Sequence, residues 1–152
     1  MKRYYLAYGS NLNLSVIKER CKDAIPIGTM KLEGYRLVYK GQCDNYAYLT
    51  IEESNDSYVP IGIYEISYLD EKSLDMFEGY PYAYDKKYVP INVNGKENLA
   101  LIYVMNKYFD YHIPSKRYID ICSEGYRHFN FNQEILDSAY NVTWENIMRK
   151  HR

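Results

Sequence analysis

Three short segments carry residue types that suit chemistry on a small polar molecule. Tyr8-Gly9-Ser10-Asn11 follows an apolar run and precedes a helical pattern. A small-residue loop between a strand and a helix exposes several backbone N–H groups. The helix start adds partial positive charge, so such a loop attracts an anion. Gly9 lets a ligand approach the backbone closely. The loop lacks the length and the Lys of a phosphate-cradling loop, which leaves a carboxylate or an oxyanion. In Phe77-Glu78-Gly79-Tyr80-Pro81 a carboxyl falls on the last turn of a predicted helix, among aromatic residues. The negative helix end and the exclusion of water both raise a carboxyl pKa. A carboxyl tuned upward can take and return protons near neutral pH. Pro114-Ser115 opens a third segment, with Tyr118 one turn into its helix. Each segment alone also reads as plain structure: a turn capped by Asn11 or Asn13, a solvated Glu, and a helix start with Tyr118 packed inward.

The elements that must position these residues follow from periodicity and punctuation. Tyr4 to Tyr8 reads as a short buried strand, and Asn13 to Cys21 as a helix with Leu14, Ile17 and Cys21 on one face. Tyr35 to Tyr39, Ala47 to Ile51 and Val59 to Ile66 read as strands, with Pro60 placing the last at an edge or a first position. A helix is expected from Leu69 to Glu78, capped by Ser67 and stopped at Gly79. Tyr84 to Val93 and Asn98 to Met105 flank Asn94-Gly95, a strong hairpin signal because both turn positions need positive φ. The last third reads as helical: one helix from Pro114, a second from about Asn132 to Tyr140, and a last turn capped by Thr143. Strands followed by helices, with few helices between strands, indicate an α+β fold. The hairpin and glycine bends favour a small, barrel-like sheet with helices outside.

The 152 residues fit one domain spanning 1–152. The net charge of −1 gives no sign of a nucleic-acid surface. There are 20 Tyr against 4 Phe and 1 Trp. That excess suits codon bias, a pocket lined with phenols, or both; stacking on single strands is a third option. Cys21, Cys43 and Cys122 form no C-x-x-C pair, and His112, His128 and His151 no metal-ligand spacing, so no structural zinc is expected. The apolar run after Met1-Lys2-Arg3 breaks at Gly9, too early for a signal peptide. No stretch approaches a membrane span. A cytoplasmic protein, monomer or homodimer, is expected.

In order and approximate spacing these segments resemble the gamma-glutamylcyclotransferase-like (AIG2-like) family. The resemblance rests on Tyr5-Leu6-Ala7-Tyr8-Gly9-Ser10-Asn11-Leu12, Gly34-Tyr35-Arg36-Leu37, Leu74-Asp75-Met76-Phe77-Glu78-Gly79-Tyr80-Pro81 with Tyr84, and Pro114-Ser115 with Tyr118 and Gly125. After Gly125 the chain departs from the family pattern, with Tyr126 and then Phe129-Asn130-Phe131-Asn132. The resemblance implies a small mixed β-barrel with flanking helices and a pocket at one side. It implies that Tyr8, Gly9, Ser10 and Asn11 hold the glutamyl end of a γ-glutamyl substrate. It assigns proton transfer to Glu78 and pocket-lining positions to Tyr84 and Tyr118. The implied reaction is attack of the α-amine on the γ-carbonyl, giving 5-oxoproline and a free amine. Being intramolecular, it needs no metal or cofactor. The alternatives are a binding protein of the same fold whose chemistry has lapsed and, more distantly, an interaction module built on surface tyrosines.

Overall fold

The computed structural model describes residues 2–151. The chain runs β1 (Arg3–Ala7), a 3₁₀ turn (Ser10–Leu12), α1 (Leu14–Arg20), β2 (Ile25–Gly41), β3 (Ala47–Ile66), α2 (Tyr68–Phe77), β4 (Tyr84–Val93), β5 (Lys96–Met105), β6 (Asp110–Tyr111), α3 (Lys116–His128) and α4 (Glu134–Lys150). It is an α+β fold. One six-stranded sheet has the order β4-β5-β1-β3-β2-β6. β1 lies at its centre, antiparallel to β3 and parallel to β5.

The barrel expectation needs correction: the sheet has two ends, β4 and β6, and does not close. It curls instead. β1 ends at the Ala7–Gly62 pair. Beyond that point the first part of β3 swings towards β5, where the Met105 N–H donates to Thr50 Oγ1 at 3.0 Å. The chain leaving β1 enters this splay, and the candidate site lies there.

β2 and β3 are 17 and 20 residues long. The two separate strands expected at Ala47–Ile51 and Val59–Ile66 are therefore one. The polar stretch between them bulges: Glu52, Glu53 and Tyr58 pair with β2, while Ser54 to Ser57 stand opposite Gly34 alone and have no partner, the register shifting there at Glu33/Tyr35. That stretch and its partner are largely exposed, so neither shows the apolar alternation that marks a half-buried strand. Pro60 sits two residues beyond the last β1–β3 pair, so β3 is locally an edge on that side, as proline requires.

The Asn94-Gly95 turn forms as expected, with φ of 52° and 81°. Beyond Phe131 the expectation fails. Thr143 is not a cap; it lies inside a single helix, α4. Its hydroxyl donates to Ala139 O at 2.7 Å and accepts from the Tyr39 N–H at 2.9 Å. The helix continues because the hydroxyl has a strand to bond.

The core gathers under the sheet around Leu6, Tyr39, Leu49, Ile61, Tyr64 and Ile102. Tyr126 is fully buried against Phe131, and Phe129 packs on Tyr64. The aromatic residues after Gly125 that depart from the family pattern thus pack on the core, Asn130 and Asn132 are exposed, and none of Tyr126 to Asn132 lines the cavity described next. No described helix is long and apolar enough to cross a membrane.

Candidate active site

All seven residues singled out in the sequence line one cavity of about 440 Å³. Tyr8, Gly9, Ser10 and Asn11 form one wall. Glu78 and Tyr84 come from the end of α2 and the start of β4, and Tyr118 comes from α3.

Asn13, not Asn11, caps α1, its Oδ1 accepting from the N–H groups of Ser15 and Val16. Its amide also donates to Ile121 O and Glu124 Oε2, which ties the loop to α3. Asn11 is left to the cavity. Its Nδ2 donates to the Tyr5 hydroxyl at 2.9 Å, and its backbone O accepts from Tyr64. The N–H groups of Leu12 and Asn13 close the 3₁₀ turn onto Gly9 O and Ser10 O. Those of Gly9, Ser10 and Asn11 find no backbone partner among the described residues. The wall is therefore rich in free donors.

A carboxyl is delivered to the same space by the end of α2. The helix starts at a capping box in which Ser67 and Asp70 bond each other's N–H. It ends in a Schellman motif. Gly79, at φ 63°, donates to Met76 O, and Tyr80 donates to Asp75 O. Glu78 is the C-cap residue, and the chain leaves the helix through the left-handed turn at Gly79. One turn earlier Asp75 anchors the helix, accepting from the Tyr103 hydroxyl at 2.6 Å and pairing with Lys86 at 2.8 Å.

Among the described residues nothing donates a hydrogen bond to the Glu78 carboxyl. Burial without that compensation pushes its pKa up to about 7, against a smaller downward pull from Arg20. Burial also raises the phenols of Tyr5, Tyr8 and Tyr84, and the nearby Glu78 charge raises them further, so they stay protonated.

The hydroxyls of Tyr84 and Tyr118 do not reach Glu78. The Tyr84 hydroxyl donates to Leu49 O at 2.8 Å, and the Tyr118 hydroxyl accepts from the Leu49 N–H at 3.1 Å. Two phenols from β4 and α3 therefore grip one residue of β3. Their rings line the cavity while their hydroxyls fix its shape. Tyr84→Phe should lose about 1 kcal/mol of stability, read by denaturant melts, with a smaller effect on turnover. A loss confined to turnover would place the hydroxyl on substrate instead.

Tyr5, Tyr48 and Tyr103 also line the cavity without having been singled out, and so does Arg20. Arg20 sits on the last turn of α1, where a cation reads as a partner of the helix dipole. Only the fold turns it back over the loop.

Residues 5–127 match the family described as gamma-glutamyl cyclotransferase, AIG2-like. The chain belongs to this family. Solved structures with the same fold include a gamma-glutamyl cyclotransferase, 23% identical over 91% of this chain and 86% of that one, with a TM-score of 0.76. A human protein described as uncharacterized protein loc79017 is 24% identical with the same coverage and a TM-score of 0.75. YkqA from Bacillus subtilis is 18% identical over 93% of this chain and 54% of its own, with a TM-score of 0.71. At these identities the likeness is one of fold. No curated protein matches this sequence. The family match spans every wall of the cavity and stops short of α4.

In this family member Gly9 is packed against the opposite wall. A Cβ there would lie 3.2 Å from the Tyr118 hydroxyl and 3.6 Å from Leu49 Cβ. The Tyr118 hydroxyl is held by Leu49 and cannot easily give way. Gly9→Val should therefore narrow the cavity, raising KM roughly tenfold or more, about 1.4 kcal/mol of lost binding, with a smaller change in stability. An unchanged KM in a folded variant would reduce Gly9 to an ordinary turn residue.

Proposed function

We propose that the chain is a cyclising enzyme acting on γ-glutamyl amides, releasing 5-oxoproline and a free amine. The observation that carries this is the Glu78 carboxyl, unpaired and held near neutral pKa, on the wall of a cavity whose facing loop offers free N–H groups.

The ionised Glu78 takes a proton from the substrate's α-ammonium. The freed amine attacks the γ-carbonyl of the same molecule, a step that loses little entropy because both groups sit on one chain. A bond forms between the α-nitrogen and the γ-carbon, and the carbonyl electrons move onto oxygen. The N–H groups near Gly9 and Ser10 hold the α-carboxylate or this oxyanion. As the tetrahedral centre collapses, the bond from the γ-carbon to the amide nitrogen breaks. Protonated Glu78 returns its proton to the departing nitrogen, and the carboxylate so regenerated passes on the second proton that the ring nitrogen must shed, so that a neutral lactam and an ammonium leave. The phenol rings exclude water, which would otherwise compete as a nucleophile.

The direct test is incubation with a panel of γ-glutamyl amines and dipeptides, scored by mass spectrometry for 5-oxoproline. Failure across the panel would favour the binding-protein reading. A second expectation concerns pH. Because Glu78 must be ionised to act as a base, kcat/KM should rise with pH through a midpoint near 7. A profile flat from about pH 5 to about pH 8 would exclude Glu78 as that base.

A further inference from the structure

Arg20 is the only Lys or Arg among the residues that line the cavity. Its guanidinium lies 4.7 Å from the centre of the Phe77 ring. Its Nη1 donates to Asn11 Oδ1 at 2.9 Å and to Ser10 Oγ at 3.4 Å. Both acceptors are uncharged. Among the described residues no carboxylate comes within ion-pair distance of it. Guanidinium offers five N–H donors in a rigid fork, and these contacts engage one nitrogen. Arg20 is half-buried. A desolvated cation without its counter-charge is costly. Here ring stacking and two neutral acceptors hold it in one orientation and leave it without a contacting counter-charge, the Glu78 carboxyl acting on it only from beyond ion-pair distance.

The place of that charge selects its partner. Arg20 is tethered to the side chains of Ser10 and Asn11, the same residues whose backbone N–H groups are free. Fixed charge and free donors thus converge at one point of the cavity. A planar carboxylate suits them, because its two oxygens accept from a guanidinium and from backbone N–H groups at once.

We propose that Arg20 binds the α-carboxylate of the glutamyl group and makes that carboxylate a requirement for substrate. The assignment rests on the cyclising reading of the site. It deepens that reading by naming what the pocket rejects: amides of 4-aminobutyrate, which can form the same five-membered ring but carry no carboxylate. Discrimination follows because a ligand without the anion leaves the half-buried guanidinium without a contacting counter-charge.

The test is calorimetric titration of the full-length protein with 5-oxoproline, with its carboxamide and with 2-pyrrolidinone. Wild type, Arg20→Gln and Arg20→Lys are compared, with circular dichroism confirming each fold. Wild type should bind the acid at least tenfold more tightly than either neutral lactam. Arg20→Gln should bind all three alike. Arg20→Lys should keep part of the preference, since it retains the charge but not the fork. A purely structural Arg20 would lower affinity for all three ligands and leave their ratio unchanged. That result overturns the proposal, as does a wild type that binds acid and amide equally or binds none of them. Turnover of the γ-glutamyl panel is scored separately. Arg20-dependent selectivity without release of 5-oxoproline would keep this assignment and sink the cyclising reaction. Turnover whose preference for the carboxylate survives Arg20→Gln would do the reverse.

Discussion

Glu78→Gln should lower turnover of γ-glutamyl substrates by about 10²–10⁴, the usual contribution of a general acid–base group. The same substitution should stabilise the protein at alkaline pH. Gln keeps the volume of Glu and carries no charge. In wild type the carboxyl pKa rises from 4.5 in the unfolded chain to about 7 in the folded one. Folding therefore favours the protonated form. The contribution of Glu78 to stability is fully present below pH 4.5 and is lost as pH rises through 7. One pKa unit corresponds to about 1.4 kcal/mol, so the loss at about pH 8 is on the order of 3 kcal/mol at most. Melting temperatures of the Gln variant should exceed those of wild type at about pH 8 and converge with them at about pH 4. Wild-type turnover in the variant would remove Glu78 from the chemistry. A gain independent of pH would mean that the carboxyl is not desolvated.

Gly125→Ala should destabilise the protein and loosen the loop from Tyr8 to Asn11 together. The Gly125 position on α3 faces the 3₁₀ turn so closely that an added Cβ would lie 2.6 Å from Asn13 N and 2.7 Å from Leu12 C. Both are backbone atoms, so no rotamer change relieves the clash. Helix propensity alone would favour Ala by about 1 kcal/mol. Overpacking against rigid backbone costs about 3 kcal/mol, the upper part of its usual range, and outweighs it. A melting temperature lower by roughly 4–8 °C is expected from the net 2 kcal/mol. Because the displaced residues are those that shape the loop, KM should rise as well. A variant as stable as wild type would show that helix and loop have room between them.

What could be read from the sequence was what local chemistry decides. Ser67 and Gly79 bound α2 because a cap and a left-handed stop act within one turn. Asn94-Gly95 marks its hairpin for the same reason. The seven residues of the cavity lie close to such local signals. Arg20 does not: its role depends on α1 folding back over the loop it follows. The tyrosines divide in the same way. Six of them line the cavity, while Tyr46, Tyr82 and Tyr108 are largely exposed, and nothing in their spacing separates the two groups. The destinations of the Tyr84 and Tyr118 hydroxyls on Leu49 link three distant segments, so no window of sequence contains them. The length of β2 and β3 was hidden because their middle bulges at Gly34 and lies outside the core.

The bond from the Tyr39 N–H to Thr143 gives α4 a task separate from the chemistry. β6 pairs with β2 only at Lys40 and Gly41, so on its outer side most of that long strand has no strand beside it. A row of unpaired backbone groups is a template on which a second chain can add a strand and begin to aggregate. Helix α4 lies along this margin and turns a side-chain hydroxyl into the missing acceptor at Tyr39. A helix cannot extend a ladder, so no strand can add at Tyr39. The segment beyond the family match thus closes the outer margin of β2 at Tyr39 and takes no part in lining the cavity.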